Sequence, residues 1–162
     1  GCSLGGIGNL IAQRRPDAQV TLNNLTVSEL DTAQEVSQHL CLNNVNFDST
    51  NILTFRERSF DLTMFYALLH HLLKDIPFHQ LIRFIHNMTH LYTVIDIPLK
   101  GDVLLDNIIA NGNLAYHDSF VLLESVETFQ EAIKDYYQIV VSRKIDYDSS
   151  QLNRWGFVLR KI

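Results

Sequence analysis

Short runs of apolar residues alternate along the chain with sets spaced i, i+3, i+4, which predicts an α/β domain built on a largely parallel sheet. Ile7, Leu10 and Ile11 predict a helix to about Arg15, stopped by Pro16-Asp17. Gln19 to Asn23 reads as a short strand. Ser28 is a plausible N-cap for a helix whose inward face would be Leu30, Ala33, Val36 and Leu40. Strands are expected at Val45 to Asp48, Phe60 to Tyr66 and Leu91 to Ile97, the last ended by Pro98. Between the latter two, Asp75 and Pro77 open a helix with Phe78, Leu81, Ile82, Ile85 and Met88 on one face. Val103 to Ala110 looks helical, and Ser125 caps a helix through Lys134. Two final strands, Tyr137 to Ile145 and Trp155 to Lys161, flank a short polar loop, so they should pair antiparallel.

Composition narrows the function classes. The 162 residues are 46% hydrophobic and 19% charged, enough apolar material for one globular domain over 1–162. A net charge of -5 argues against wide contact with a nucleic-acid backbone, where lysine and arginine neutralise phosphates. A small-molecule substrate is the better default. Cys2 and Cys41 form no CxxC pair, and no apolar run approaches the roughly 18 residues of a spanning helix. The expectation is a cytoplasmic protein that contacts neither membrane nor nucleic acid.

Gly1-Cys2-Ser3-Leu4-Gly5-Gly6 opens directly into the first helix. Glycines let the backbone approach a ligand, and a helix start offers free N–H groups to an anion. The dinucleotide fingerprint fails because Ile11 stands where its third glycine belongs, and no Gly-Lys-Ser/Thr triplet supports a P-loop. The segment instead resembles motif I of class I S-adenosylmethionine-dependent methyltransferases, G-x-G-x-G after the first strand, with Gly1, Ser3 and Gly5 in the glycine places.

Further landmarks follow in order. Asn24 and Leu25 match the family's end of the second strand, where an acidic residue binds the cofactor's ribose hydroxyls. Asn51 and Ile52 match the position that reaches the adenine amino group, with Asp48 as the alternative acceptor if the loop is shifted. Ser59 to Leu72 is similar to the family's Phe-Asp strand and Leu-His-His helix start, which brings in Tyr66 and His71. The resemblance therefore implies a Rossmann-like sheet, mostly parallel with a C-terminal antiparallel hairpin, and S-adenosylmethionine as cofactor. It implies cofactor contacts at Gly1, Cys2, Ser3, Gly5, Asn24, Leu25, Asn51, Ile52 and Tyr66. It also expects a first strand, absent here, supplied at the sheet's centre by the same or another chain.

Asparagine at both usual acidic positions keeps a carbonyl acceptor and loses a charge, and hydrogen bonds to charged groups are worth about 1.5–3 kcal/mol against about 1 for neutral ones. Two readings follow. One is methyl transfer to an O, N or C atom of a small molecule; the other is a catalytically silent module used for protein contacts. For the first, His71 and His117 are the candidate bases, because imidazole titrates near neutrality. In that family a histidine at the place of His71 is more often a structural or pocket-lining residue than a base. No histidine spacing suits a metal. The variable segment 100–124, with Leu104, Leu105, Ile108, Ile109, Leu114, Tyr116 and Phe120, is apolar enough to form a lid.

Overall fold

The computed structural model describes residues 1–55, 59–111, 123–145 and 152–162. The chain packs as two compact units, Gly1–Arg56 and Glu57–Ile162.

In the first unit, helix α1 (Gly6–Arg14) leads into strand β1 (Val20–Asn23), helix α2 (Val27–His39) and strand β2 (Val45–Asp48), followed by a 3-10 turn at Ile52–Thr54. The strands pair in parallel, from Val20 opposite Val45 to Asn23 opposite Asp48. Leu22, Leu30 and Ala33 form the core, with Cys2, Val20, Val45 and Phe47 packed against it.

Helix α1 turns a different face inward from the one its apolar spacing predicts, and α2 keeps only the first half of its predicted face, Leu30 and Ala33, buried. In α1, Ile7 and Leu10 are about half exposed, while Asn9 and Ala12 are buried. The reason is close approach to β1: a Cβ on Gly8 would lie 2.1 Å from Leu22 Cδ2. Only a surface of small residues lets the helix sit so near the strand. In α2 the N-cap is Thr26, not Ser28, and Val36 and Leu40 are exposed. Ser37 takes the inward place because it serves Asn9. Its hydroxyl donates to Asn9 Oδ1 (2.6 Å), and Asn9 Nδ2 donates to the Ala33 carbonyl (3.2 Å). Buried Asn44 then closes the far end of α1, donating to the carbonyls of Ala12, Arg15 and Ala18. Buried polar groups are stable only when paired in this way.

The second unit holds strands β3 (Phe60–Phe65), β4 (Thr89–Pro98), β5 (Tyr137–Ile145) and β6 (Arg154–Lys161). Helices α3 (Leu69–Leu72), α4 (Phe78–Met88), α5 (Val103–Asn111) and α6 (Val126–Ile133) accompany them. The strand order is β3-β4-β6-β5. β3 and β4 run parallel, whereas β6 is antiparallel to both β4 and β5, as the expected C-terminal hairpin requires. The α/β class and its mixed sheet therefore stand, with both parallel ladders outside the hairpin. Pro98 ends its strand as expected, being the last residue of β4, where it pairs with Arg154. The predicted face of α4 is the buried one at all five positions, and Ser125 caps α6 by accepting from the Thr128 N–H. Among the described residues, β1 pairs only with β2, and β3 only with β4. No described helix is long and apolar enough to cross a membrane.

Candidate functional site

The glycine-rich segment is a tight turn fixed to the end of β1. The Cys2 N–H donates to the Asn23 carbonyl (2.8 Å), and the Gly5 N–H returns to the Cys2 carbonyl (2.9 Å). Ser3 and Gly5 both take left-handed conformations, with φ of 49° and 75°. Gly5 is required twice over, since a Cβ there would also lie 2.7 Å from that of Ala33. Its role is to seat the turn on α2 and β1. Gly1, Ser3 and Leu4 are exposed on the outside of the turn, and Cys2 is half-buried. Burial pushes the Cys2 thiol above its usual range, with the Glu29 carboxylate adding to the effect. A reactive thiolate is thereby disfavoured.

Gly5 is the N-cap of α1 and offers no side chain, and no acidic residue occupies the first turn. The opening amides of this nine-residue helix therefore keep their partial positive charge. Gly6, at the first helical position, has nothing within 4 Å of where a Cβ would stand.

Asn24 and Leu25 follow β1. Leu25 is 61% exposed, but Asn24 is buried, its N–H donating to the Asp48 carbonyl (3.1 Å). The Asn24 side chain donates from Nδ2 to Glu29 Oε2 at 2.6 Å. A carboxylate is thus present beside the position where the sequence comparison finds none. Glu29 belongs to the first turn of α2. The signal for it was the Thr26-x-x-Glu29 spacing of a capping box, concealed by taking Ser28 as the cap. In the fold that box is not closed: Thr26 makes no side-chain cap, and the carboxylate turns to Asn24.

Asn51 is exposed, and its side-chain carbonyl accepts from the Leu53 N–H (3.0 Å), capping the 3-10 turn that contains half-buried Ile52. Its acceptor is engaged locally. Asp48 Oδ1 accepts from the Thr50 N–H (2.8 Å), and Asn23 Nδ2 ties the same loop by donating to the carbonyls of Asp48 and Thr50.

In the second unit, β3 ends at a turn where Ala67 takes a φ of 51° and donates its N–H to the buried Asp96 carboxylate. Arg154 bridges Asp96 (3.2 Å) and Asp102 (3.4 Å), all three side chains being nearly inaccessible. Asp102 also caps α5 through the Leu104 and Leu105 amides. This network anchors α3, which carries His70 and His71 with rings 4.3 Å apart. The pair splits by environment. His70 is 2% exposed, its Nδ1 has no hydrogen-bond partner among the described residues, and burial, then the charges of His71, Arg154 and Lys74, lower its pKa to about 3. His71 is exposed, with a pKa lowered by burial, Lys74 and Arg154, so it is a neutral imidazole at pH 7. Exposed Tyr66 lies beside a groove of about 470 Å³ bordered by Val94, Arg143, Lys144 and Phe157. His117 and residues 112–122 of the predicted lid lie outside the described residues; of the lid's apolar set, Leu105 on α5 is buried, Ile108 and Ile109 are half-buried and Leu104 is exposed.

No family model matches the sequence, and no curated protein matches it significantly. Solved structures do match over the full chain. The magnesium protoporphyrin IX methyltransferase of Synechocystis PCC 6803, solved with bound SAH, superposes with a TM-score of 0.70 at 13% identity, covering 100% of this chain and 71% of its own. The chain has the class I methyltransferase fold. The N-methyltransferase NodS of Bradyrhizobium japonicum WM9 has the same fold, with a TM-score of 0.73 at 14% identity, covering 99% of this chain and 82% of its own. The fold does not prescribe one reaction, for the cyclase SpnF matches equally well, with a TM-score of 0.69 at 13% identity over 99% of this chain and 72% of its own.

Proposed function

We propose that this chain binds S-adenosylmethionine at the Gly1–Gly5 turn and transfers its methyl group to an O, N or C atom of a small molecule. The observation that carries the reading is the turn itself. It is pinned to β1 through Cys2 and Asn23, bent by two left-handed residues, and followed by an uncapped helix start. That donor set suits an anionic or hydroxyl-bearing ligand, and similar structures were solved with SAM or SAH bound. The cofactor would supply an electrophilic methyl on a sulfonium. The chain's own contribution is to hold acceptor and donor in line and to exclude water.

Tyr66 and His71 enter this proposal through the sequence resemblance. A neutral, exposed His71 can accept a proton from an acceptor hydroxyl or amine, while buried His70 supports the helix that carries it. Among the described residues β1 has one edge unpaired, which could take the additional strand that the resemblance expects from the same or another chain.

Calorimetric titration of S-adenosylmethionine and S-adenosylhomocysteine tests the reading. Micromolar binding is expected, weakened about tenfold or more by Gly6→Leu, which fills open space at the helix start without touching the core. No binding by protein with an intact circular dichroism spectrum would exclude the enzyme reading and favour the silent, protein-binding module.

A further inference from the structure

Asn24 leaves the strand end without a carboxylate in sequence, yet the fold brings one there. Asn24 Nδ2 and Glu29 Oε2 are 2.6 Å apart, and the Asn24 backbone is held in turn by the Asp48 carbonyl. Glu29 is half-buried and makes no other hydrogen bond or ion pair among the described residues, so Oε1 and the remaining lone pairs are available. Its carboxylate is near enough to act on the Cys2 thiol, which places the charge beside the glycine-rich turn. An amide that donates to one carboxylate oxygen fixes the other in orientation, and the buried amide cannot swing away.

We infer that Glu29, oriented by Asn24, is the charged acceptor for the vicinal hydroxyls of a ribose bound at the Gly1–Gly5 turn. This rests on the cofactor reading above and adds to it a residue that stands outside the family's usual position. The two asparagine positions then differ in kind. Asn51 spends its carbonyl capping a local turn, whereas Asn24 spends its amide positioning a neighbour's charge. A Glu in the first turn of a helix also has a purely structural use, favoured by the helix dipole. The test must separate the two.

Titration of S-adenosylhomocysteine, 5′-methylthioadenosine and the 2′-deoxy form of the latter into wild type, Glu29→Gln and the exchanged pair Asn24→Asp/Glu29→Gln does so. Glu29→Gln should weaken the two hydroxylated ligands about tenfold or more, because a charged acceptor becomes neutral. The penalty should be much smaller for the deoxy ligand, which presents one hydroxyl fewer. The exchanged pair keeps one carboxylate and one amide in hydrogen-bond reach and should bind within a few-fold of wild type. Equal binding by wild type and Glu29→Gln overturns the inference while leaving the cofactor reading intact. So does a penalty of equal size for the hydroxylated and deoxy ligands. Absence of binding by folded wild type overturns both.

Discussion

Replacing Gly5 by alanine tests the account of the turn most directly. Two costs combine. At a φ of 75° an alanine pays roughly 1–2 kcal/mol for the left-handed conformation. Its methyl would also stand 2.7 Å from Ala33 Cβ and 3.0 Å from Leu22 Cδ1. Ala33 is wholly buried and its methyl has no rotamer by which to retreat, so an overpacking cost of roughly 1–3 kcal/mol is expected. Together they give about 2–5 kcal/mol. The sole tryptophan, Trp155, belongs to the second unit, so the readout should be hydrogen exchange at the amides of α1. Protection there should fall roughly 30-fold or more, since each 1.4 kcal/mol is a factor of about ten. Ala33→Gly removes the obstructing methyl, so the double variant should show a coupling of about 1–3 kcal/mol in favour of the pair. Gly6→Ala is the contrast: with open space around it, it should be neutral or stabilising by up to about 1 kcal/mol. Unchanged protection in Gly5→Ala, or strict additivity with Ala33→Gly, would refute the steric argument. If it holds, substitutions at Gly5 unseat the turn and cannot serve to locate a ligand.

The second unit should lose stability in acid through His70. With a folded pKa of about 3 against 6.5 for the free side chain, the unfolded state takes up the proton first. The His70 contribution is complete above about pH 6.5 and is lost as pH falls towards 3, at up to about 1.4 kcal/mol per pH unit. Asp96, whose pKa is raised by burial against the pull of the Ala67 N–H and Arg154, works in the opposite sense. The measurable quantity is therefore the difference between wild type and His70→Phe, by urea unfolding followed at Trp155 at pH 7 and pH 5. Equal pH dependence in the two proteins would show that His70 is protonated in the fold. Arg154→Met should cost about 3–5 kcal/mol by the same assay, because Asp96 and Asp102 are left buried without a counter-charge; a loss under 1 kcal/mol would contradict that. Ser37→Ala, which deprives buried Asn9 Oδ1 of its donor, should cost about 1–3 kcal/mol, measured by exchange at α2 amides.

The candidate site was read in the sequence as order and spacing. The run from Gly1 to Gly6, the strand end at Asn24 and the Leu69-His70-His71 helix start could be placed before any packing was known. What each residue does there was not legible. His70 and His71 are neighbours of one type, yet one is buried, its Nδ1 without a partner among the described residues, and the other is open to solvent. Asn24 and Asn51 look alike in sequence and turn opposite ends of their amides to use. Periodicity failed on α1 because it counts apolar residues, while the buried side of that helix is chosen for smallness against Leu22.

The sequence by itself determined the alternation of strands and helices, the inward face of α4 and the C-terminal hairpin, because these follow from local side-chain pattern and turn residues. Only the tertiary structure decided which side of α1 meets the strand, where the Asp96–Arg154–Asp102 network closes, and which residue brings a carboxylate to Asn24. Those depend on contacts between segments folded together from separate parts of the chain. Burial and orientation there are set by the neighbour that arrives, and a residue's own local pattern carries no record of it.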